Sequence, residues 1–454
     1  TPPSARWVVR SSDPGAARSL ADGLGLPSLV ARILAARELT DSAEASRFLK
    51  PTLAQIHDPF LLKGMEAAVA RIGKALKAGE TIWIYGDYDV DGLTATTLLR
   101  QTLMALGGKV DYYIPHRVNE GYGINSDSIE DLAARGATLI VTVDCGISAV
   151  EQALLARRLG IDLIVTDHHE PGENLPEAFT LINPLQPGCA YPFKKLAGVG
   201  VAFKLAHALL KTHHKDEAVA RETLKSLLDL VALGTVADVV PLKGLNRAFV
   251  AKGLIALRRR EHVGATALMD VARLSGPPEP WHLGFLLGPR INAGGRIGRA
   301  DLGVRLLLEE DPIEAARIAA ELDRLNGERQ IIERATLVEA EAEALAALGL
   351  EEKGAVVVTA GQGWHPGVVG LVSARLKERY GRPAFAIALE AGGTGTGSGR
   401  SIPGVDLGRA VRQAVKDGML LKGGGHAMAA GITLRKYALG AFRAFLEETL
   451  GAAV

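Results

Sequence analysis

The sequence predicts an α/β protein in which a parallel-sheet domain is joined by a long helix to a smaller α/β domain. Three observations predict it. Apolar runs of strand length alternate with helical segments from Thr81 to Pro184, as in a doubly wound parallel sheet. Residues 312 to 348 are helix formers almost throughout, with no proline after the first position. A second strand–helix–strand run follows Gly354. The expected divisions are an N-terminal helical segment (1–80), the sheet domain (81–310), the connecting helix (311–350) and the smaller domain (351–454).

Residues 16 to 80 read as mostly helical, because Leu26, Val30, Ile33 and Leu34, and then Met65, Val69, Ile72 and Leu76, keep helical spacing. Strands are expected at Thr81–Tyr85, Lys109–Ile114, Thr138–Val143, Ile161–Thr166 and Thr180–Pro184. Helices are expected between them at Thr94–Leu106, Ser126–Arg135 and Ile147–Leu159. Helices dominate from Gly198 to about Arg273. The connecting helix would be a rod of about 50 Å, at 1.5 Å per residue, with Asn326-Gly327 its expected weak point. Its heptads are too irregular for a coiled-coil arm. In the smaller domain, strands at Ala355–Thr359 and Ala384–Leu389 flank a helix at Val368–Tyr380, ahead of the glycine-dense stretch Gly392–Gly404.

Composition narrows the function classes. The chain has 454 residues, 48% hydrophobic and 23% charged, enough for two or three cores. No apolar run approaches the roughly 20 residues that span a bilayer, and Thr1-Pro2-Pro3-Ser4-Ala5-Arg6 has no signal-peptide apolar core behind it. Two cysteines, Cys145 and Cys189, give no disulfide framework, so a cytoplasmic protein is expected. From Glu351 onward there are 13 Lys and Arg against 8 Asp and Glu, whereas the rest of the chain is slightly acidic. Scattered surface charge would produce this, and so would an anionic substrate held by one domain and processed by the other.

The candidate chemistry sits where strands end. Ligands in open α/β sheets collect beyond the carboxyl ends of the strands. Gly86-Asp87-Tyr88-Asp89-Val90-Asp91-Gly92 follows the first strand, Asp144 the third and Asp167-His168-His169 the fourth. Asp238 completes the set, in the apolar stretch Gly234–Leu242. Alternating aspartates on a tight loop suit hard divalent cations. A calcium EF-hand is excluded, because the twelfth position from Asp87 is Leu98 and a strand precedes the loop. A lone aspartate after a strand is ordinarily an N-cap, a role open to Asp144 ahead of Ile147. Asp238 is harder to dismiss, since a buried carboxylate needs a partner. Five carboxylates and an imidazole exceed what one octahedral ion takes. Two ions about 3.5–4 Å apart would use them all, and the imidazole favours Mn²⁺ over Mg²⁺.

These four elements resemble motifs I to IV of the DHH phosphoesterase superfamily. Within it, Gly86–Gly92, Val141–Ile147 and Val165–Glu170 are similar to the RecJ-type single-strand exonucleases. Gly288–Arg296 resembles that group's fifth motif, and Ser398–Ser401 with Gly423–Gly431 resembles the companion DHHA1 domain. The likeness runs from about residue 45 to about 435.

The resemblance implies roles. Asp87, Asp89, Asp91, Asp144, His168 and Asp238 would bind two Mn²⁺ or Mg²⁺ ions, with Asp144 bridging and the loop aspartates not apportioned between them. His169 would face the scissile phosphate, and Asp167 would orient its neighbours. The attacking oxygen would come from water, so His169, Asp144 and Asp167 are the catalytic candidates and no serine or cysteine nucleophile is required. Arg290, Asn292 and Arg296, in a glycine-rich loop, and Arg117 are candidate phosphate contacts, and Tyr122 a candidate for base stacking. Without the resemblance, those arginines would read as ordinary surface charge. Alternating Gly395, Gly397 and Gly399 around Ser398 would expose backbone amides as an anion nest. With Arg400, Gly424, Gly425 and His426 they would form a pocket for a terminal 5′-phosphate, and tight turns are the alternative.

The expected function is therefore 5′→3′ hydrolysis of single-stranded DNA to 5′-mononucleotides in repair and recombination. The expected protein is a monomer with helicase and single-strand-binding partners and no membrane association. A short-substrate phosphodiesterase acting on oligonucleotides or cyclic dinucleotides is the alternative enzyme. A non-catalytic replication-helicase adaptor is the alternative of another class, and the full ligand set weighs against it. Relatives of this type continue into an oligonucleotide-binding fold, so the sequence is expected to be a catalytic core.

Overall fold

The computed structural model describes residues 8–117, 120–349 and 354–453. Thr1–Arg6, the Val118-Asn119 step beside Arg117 and the junction expected at 350–351 lie outside the described residues. The chain forms two compact units that divide between Arg324 and Leu325, inside the long helix rather than at its ends.

The first unit is built on five parallel strands: β1 (Thr81–Tyr85), β2 (Lys109–Tyr113), β3 (Leu139–Val143), β4 (Asp162–Thr166) and β5 (Thr180–Ile182). They are ordered β2-β1-β3-β4-β5, with in-register pairs such as Tyr85 with Thr142 and Val143 with Thr166. The crossover direction reverses between β1 and β3, which opens a crevice at their carboxyl ends. Alternation along each strand serves two cores. Ile82, Ile84, Val141 and Ile164 face helices Met65–Ala78, Val90–Ala105 and Gly198–His213. Trp83, Tyr85, Ile140, Leu163 and Val165 face helices Ser126–Ala134 and Val150–Arg158. Met65, Val69 and Ile72 sit within the first of these cores, so that helix belongs to the sheet. Helices Pro14–Leu24, Ser28–Ala36 and Ser42–Leu49 close on a small core of their own around Leu20, Leu34 and Leu39.

Several sequence expectations need correction. Asp238 does not end a strand; it caps helix Leu228–Ala237 at its C-terminus. Asp144 is no N-cap, because the next helix begins at Val150 with Ala149 before it. The segment holding Arg290, Asn292 and Arg296 is helix Gly288–Ile297, not a loop. Its glycines serve close packing: a Cβ on Gly295 would lie 2.9 Å from the Tyr88 carbonyl oxygen. The long helix Pro312–Leu348 runs unbroken through Asn326-Gly327, where Asn326 Oδ1 accepts a hydrogen bond from Arg329 at 3.0 Å.

The second unit carries a sheet ordered β6-β7-β8-β10-β9. Its strands are β6 (Val357–Gln362), β7 (Ala384–Leu389), β8 (Thr394–Arg400), β9 (Lys422–His426) and β10 (Ala429–Arg435). The glycine-dense stretch is thus an interior strand. Gly395, Gly397 and Gly399 pair with Leu389, Ile387 and Phe385 on one side and with Leu434, Ile432 and Ala430 on the other. The expected anion nest is not formed there, because those backbones belong to sheet ladders. The glycines make room instead: a Cβ on Gly399 would stand 2.5 Å from the Phe385 ring.

Candidate active site and metal centre

Sheet geometry gathers the acidic elements at the crevice. β1 delivers Asp87, Asp89 and Asp91, β3 delivers Asp144, β4 delivers Asp167-His168-His169, and the end of helix Leu228–Ala237 brings Asp238. Asp144 holds φ at +63°, a left-handed conformation uncommon for a side-chain-bearing residue. Gly198 fits closely against it, since a Cβ there would lie 2.5 Å from Asp144 Oδ1.

The carboxylates are held individually. Asp91 accepts hydrogen bonds from Gly198 N at 2.6 Å and Val199 N at 2.8 Å, the first amides of helix Gly198–His213. Asp89 caps its own helix through the amides of Asp91 and Gly92. His168 Nε2 lies 3.1 Å from Asp144 Oδ1, 3.7 Å from Asp238 Oδ2 and 3.8 Å from Asp91 Oδ2. Despite that closeness, His168 Nε2, Asp144 Oδ1, Asp238 Oδ2 and Asp87 Oδ1 are buried without a hydrogen-bond partner. Donor atoms that converge and leave one another unsatisfied are arranged for a cation.

Three overlapping groups have donor atoms within 4.8 Å of one another: Asp87, Asp89 and Asp144; Asp91, His168 and Asp238; and Asp144, His168 and His169. Asp144 belongs to the first group and its Oδ1 lies 3.1 Å from His168 Nε2 of the second, which suits a carboxylate between two ions. The donor set therefore fits two divalent cations, and hard carboxylates with one imidazole suit Mn²⁺ or Mg²⁺.

Electrostatics agree. Burial, then repulsion from neighbouring carboxylates, raises Asp87 and Asp144 well above the carboxylate range. The same causes push Asp91 up to about 7 and Asp238 up to about 9. Burial, then His169, lowers His168 to about 4, so its imidazole is neutral and free to ligate. His169 behaves oppositely. Burial works against its charge, but the hydrogen bond from its Nδ1 to Asp167, 2.7 Å long, raises it to about 9.

Asp167 lies in none of the cation groups. Its Oδ1 accepts from His168 N and His169 N, at 2.7 and 3.1 Å, as well as from the His169 ring, and its Oδ2 accepts from Ile147 N at 2.9 Å. It positions both histidines.

The other expected site residues divide. The Tyr122 hydroxyl lies 3.1 Å from His169 Nδ1 and its ring is exposed. Arg117 places its guanidinium 4.8 Å from the Tyr88 ring centroid, and its charge reaches Asp87. Asn292 Oδ1 accepts from Val90 N at 3.1 Å and so fixes the aspartate loop. Arg290 donates to Asp323 at 2.9 Å and to the Leu286 carbonyl at 2.8 Å. Arg296 is partly buried in the last turn of its helix. In the second unit, Arg400 donates to Ser398 Oγ and to the Gly399 carbonyl, both at 2.8 Å. Gly424, Gly425 and His426 form edge strand β9 and pair with Gly431, Ala430 and Ala429. Sequence reasoning missed Gly198 and Val199, whose only local signal was Ala197-Gly198-Val199-Gly200 at the start of a helix. It also missed buried Asn183, which donates to the His169 carbonyl at 2.9 Å.

A parallel sheet with these ligands at its switch point, followed by a second α/β domain, defines the architecture class, and two family models match accordingly. The DHH family N-terminal domain matches residues 81–235, and the DHHA1 domain matches residues 352–452. The chain belongs to the RecJ family. It is 45% identical to the single-stranded-DNA-specific exonuclease RecJ of Bacillus subtilis, over 98% of this chain and 55% of that protein. It is 42% identical to the RecJ exonuclease of Dickeya dadantii, over 94% of this chain and 75% of that protein. The crystal structure of Thermus thermophilus RecJ in complex with Mn²⁺ superposes with a TM-score of 0.83 at 33% identity, covering 98% of this chain and 62% of that one. The chain thus spans about half of the first of these relatives and three quarters of the second. A structure of CDC45 from Entamoeba histolytica, 12% identical with a TM-score of 0.51, shares the fold alone.

Proposed function

We propose that the chain is the catalytic core of a 5′→3′ exonuclease, using Mn²⁺ or Mg²⁺ to hydrolyse single-stranded DNA to 5′-mononucleotides in repair and recombination. The convergence of Asp87, Asp89, Asp91, Asp144, His168 and Asp238, with four donor atoms buried and unsatisfied, carries the reading. The RecJ relatives supply the substrate class.

In the proposed reaction a water oxygen attacks the phosphorus of the first internal phosphodiester, the P–O3′ bond breaks, and the departing 3′-oxygen takes up a proton. The two cations, when bound, would supply Lewis acidity at the attacked phosphate and a more acidic water. The chain's own groups do the remainder. Asp91, fixed by two helix amides, and Asp144, wedged against Gly198, set the ligand positions before substrate arrives. His169, whose charged form is favoured by the hydrogen bond to Asp167, is the proposed contact for a phosphate oxygen and the proposed source of that proton. The Tyr122 hydroxyl restrains that ring. Arg117, Arg290, Asn292 and Arg296 remain proposed phosphate contacts, and Tyr122 a proposed partner for base stacking. In the second unit, Ser398, Arg400, Gly424, Gly425 and His426 remain the proposed contacts for the 5′-terminal phosphate. The same reading takes the protein as a cytoplasmic monomer served by a helicase and a single-strand-binding protein. No helix among the described residues is long and apolar enough to cross a membrane.

The test is digestion of a 5′-phosphorylated, 3′-labelled 40-mer with Mn²⁺. Stepwise shortening from the 5′ end with release of mononucleotides is expected. Turnover of dinucleotides alone would assign the short-substrate activity, and no turnover of either would remove the enzymatic reading.

A further inference from the structure

Beside Asp238 the surface turns apolar in a way the ligand cluster does not explain. Val239, Trp281 and Phe285 are 84, 51 and 77% exposed. Val239 directly follows Asp238 and holds φ at +63°, a strained conformation for a β-branched residue. Trp281 and Phe285 are four residues apart where helix Pro280–His282 runs into the five-residue π-helix Leu283–Leu287. π-helical turns are rare and concentrate at functional sites.

That π-helix is anchored to the catalytic elements. A Cβ on Gly284 would lie 3.5 Å from Val236, in the last turn before Asp238. A Cβ on Gly288 would lie 3.6 Å from Ala237 and 3.8 Å from Val90, which follows Asp89. Arg290 braces the π-helix by donating to the Leu286 carbonyl. The Trp281 ring rests 3.9 Å, centroid to centroid, from His282, and its Nε1 donates to Glu279 at 3.1 Å. The indole is therefore held in place while half of it faces solvent.

We infer that Trp281 and Phe285 form a stacking platform for bases of the single strand whose backbone crosses the Asp238 side of the cation cluster. The inference rests on the single-strand nuclease reading and adds to it a positioning surface. A strand with a phosphate at the cluster must lay its neighbouring nucleotides on adjoining surface. Exposed aromatic rings accept any base, because every base has a π-face. Packing of the π-helix on the last turn before Asp238, and of Gly288 on Val90 beside the aspartate loop, favours nucleic acid over a protein partner as the occupant. The platform grips bases and leaves the phosphate to the cluster, so it acts on binding rather than on bond cleavage.

The experiment compares the wild type with Phe285→Ala, Trp281→Ala and Phe285→Tyr. A 5′-phosphorylated, 3′-fluorescent dT20 reports binding by anisotropy in EDTA, and the same strand with Mn²⁺ reports KM and kcat. Each alanine variant should weaken binding and raise KM by about tenfold, as loss of one stacking contact predicts. Their kcat should stay within twofold, and Phe285→Tyr should match the wild type. Both side chains are substantially exposed, so unchanged melting temperatures are expected. Binding and KM within twofold of wild type in both alanine variants would overturn the platform, as would an equal fall in kcat with KM unchanged. Wild-type DNA constants combined with altered self-association on sedimentation would assign the patch to protein contact instead. Failure of the wild type itself to degrade dT20 would sink the nuclease reading rather than the platform alone.

Discussion

Replacing Gly198 with alanine adds one methyl group at the first residue of helix Gly198–His213, where alanine is the better helix former. Here the tertiary contacts reverse that preference. The new Cβ would lie 2.5, 2.6 and 2.7 Å from Oδ1, Cβ and Cγ of Asp144. Ordinary contact needs roughly 3.5 Å between such atoms, so about 0.8–1 Å of displacement must be absorbed. Asp144 is poorly able to move, being fully enclosed with its backbone already at φ +63°. Helix Gly198–His213 is equally constrained, since its first two amides hold Asp91. Whichever side yields, one carboxylate leaves its place, and a misplacement near 1 Å costs on the order of 100-fold in rate. The overpacking should also lower stability by about 1–3 kcal/mol. Mn²⁺-dependent hydrolysis of a labelled single strand, Mn²⁺ affinity by calorimetry and thermal melting test this together. The expected result is a rate at least 100-fold lower, weakened Mn²⁺ binding and a lower melting temperature. Wild-type rate and metal affinity in Gly198→Ala would refute the claim that this contact sets the site.

Three further predictions follow from separate contacts. Asp167→Asn turns an acceptor of four hydrogen bonds into a group presenting an N–H to donors, so kcat should fall about 10- to 100-fold; a rate within twofold of wild type would deny Asp167 its positioning role. Arg71, then Thr138, hold the Glu80 carboxyl below its ordinary pKa through hydrogen bonds. That contribution is present above the unfolded carboxylate value and is lost as pH falls through the folded one, so the melting-temperature gap between wild type and Glu80→Gln should close below about pH 4. A gap independent of pH would exclude ionisation as its source. Arg400→Ala should reduce the preference for a 5′-phosphate over a 5′-hydroxyl end, compared by initial rates on matched strands, and an unchanged ratio would place the terminal-phosphate contact elsewhere.

Much of this was legible in the chain. Periodicity in Ile82–Tyr85, Leu139–Val143 and Asp162–Thr166 dictates strands, because β-branched and aromatic residues bury both faces of a parallel sheet. The aspartates and histidines that follow are local in sequence, so their chemistry could be read before their geometry. Glycine was where reading failed. Gly395, Gly397 and Gly399 looked like a nest of free amides, yet they flatten one face of β8 against Phe385 and Ile387. Gly294 and Gly295 suggested a loop, yet they let helix Gly288–Ile297 pack closely on the Tyr88 backbone. A missing side chain carries no local sign of whether it frees the backbone or admits a neighbour, and only the neighbour decides.

The sequence by itself determined the fold class, the order of the ligand-bearing segments and the type of metal they suit, because strand periodicity and donor chemistry are properties of short segments. The tertiary structure alone decided which donors lie close enough to share an ion, that Asp167 serves the histidines, that Arg290 and Asn292 hydrogen-bond within the protein around the site, and that Trp281 and Phe285 stand exposed on the segment packed against the helix that ends at Asp238. Those outcomes depend on distances between segments tens to hundreds of residues apart, which are fixed by packing across the sheet and appear in no local pattern.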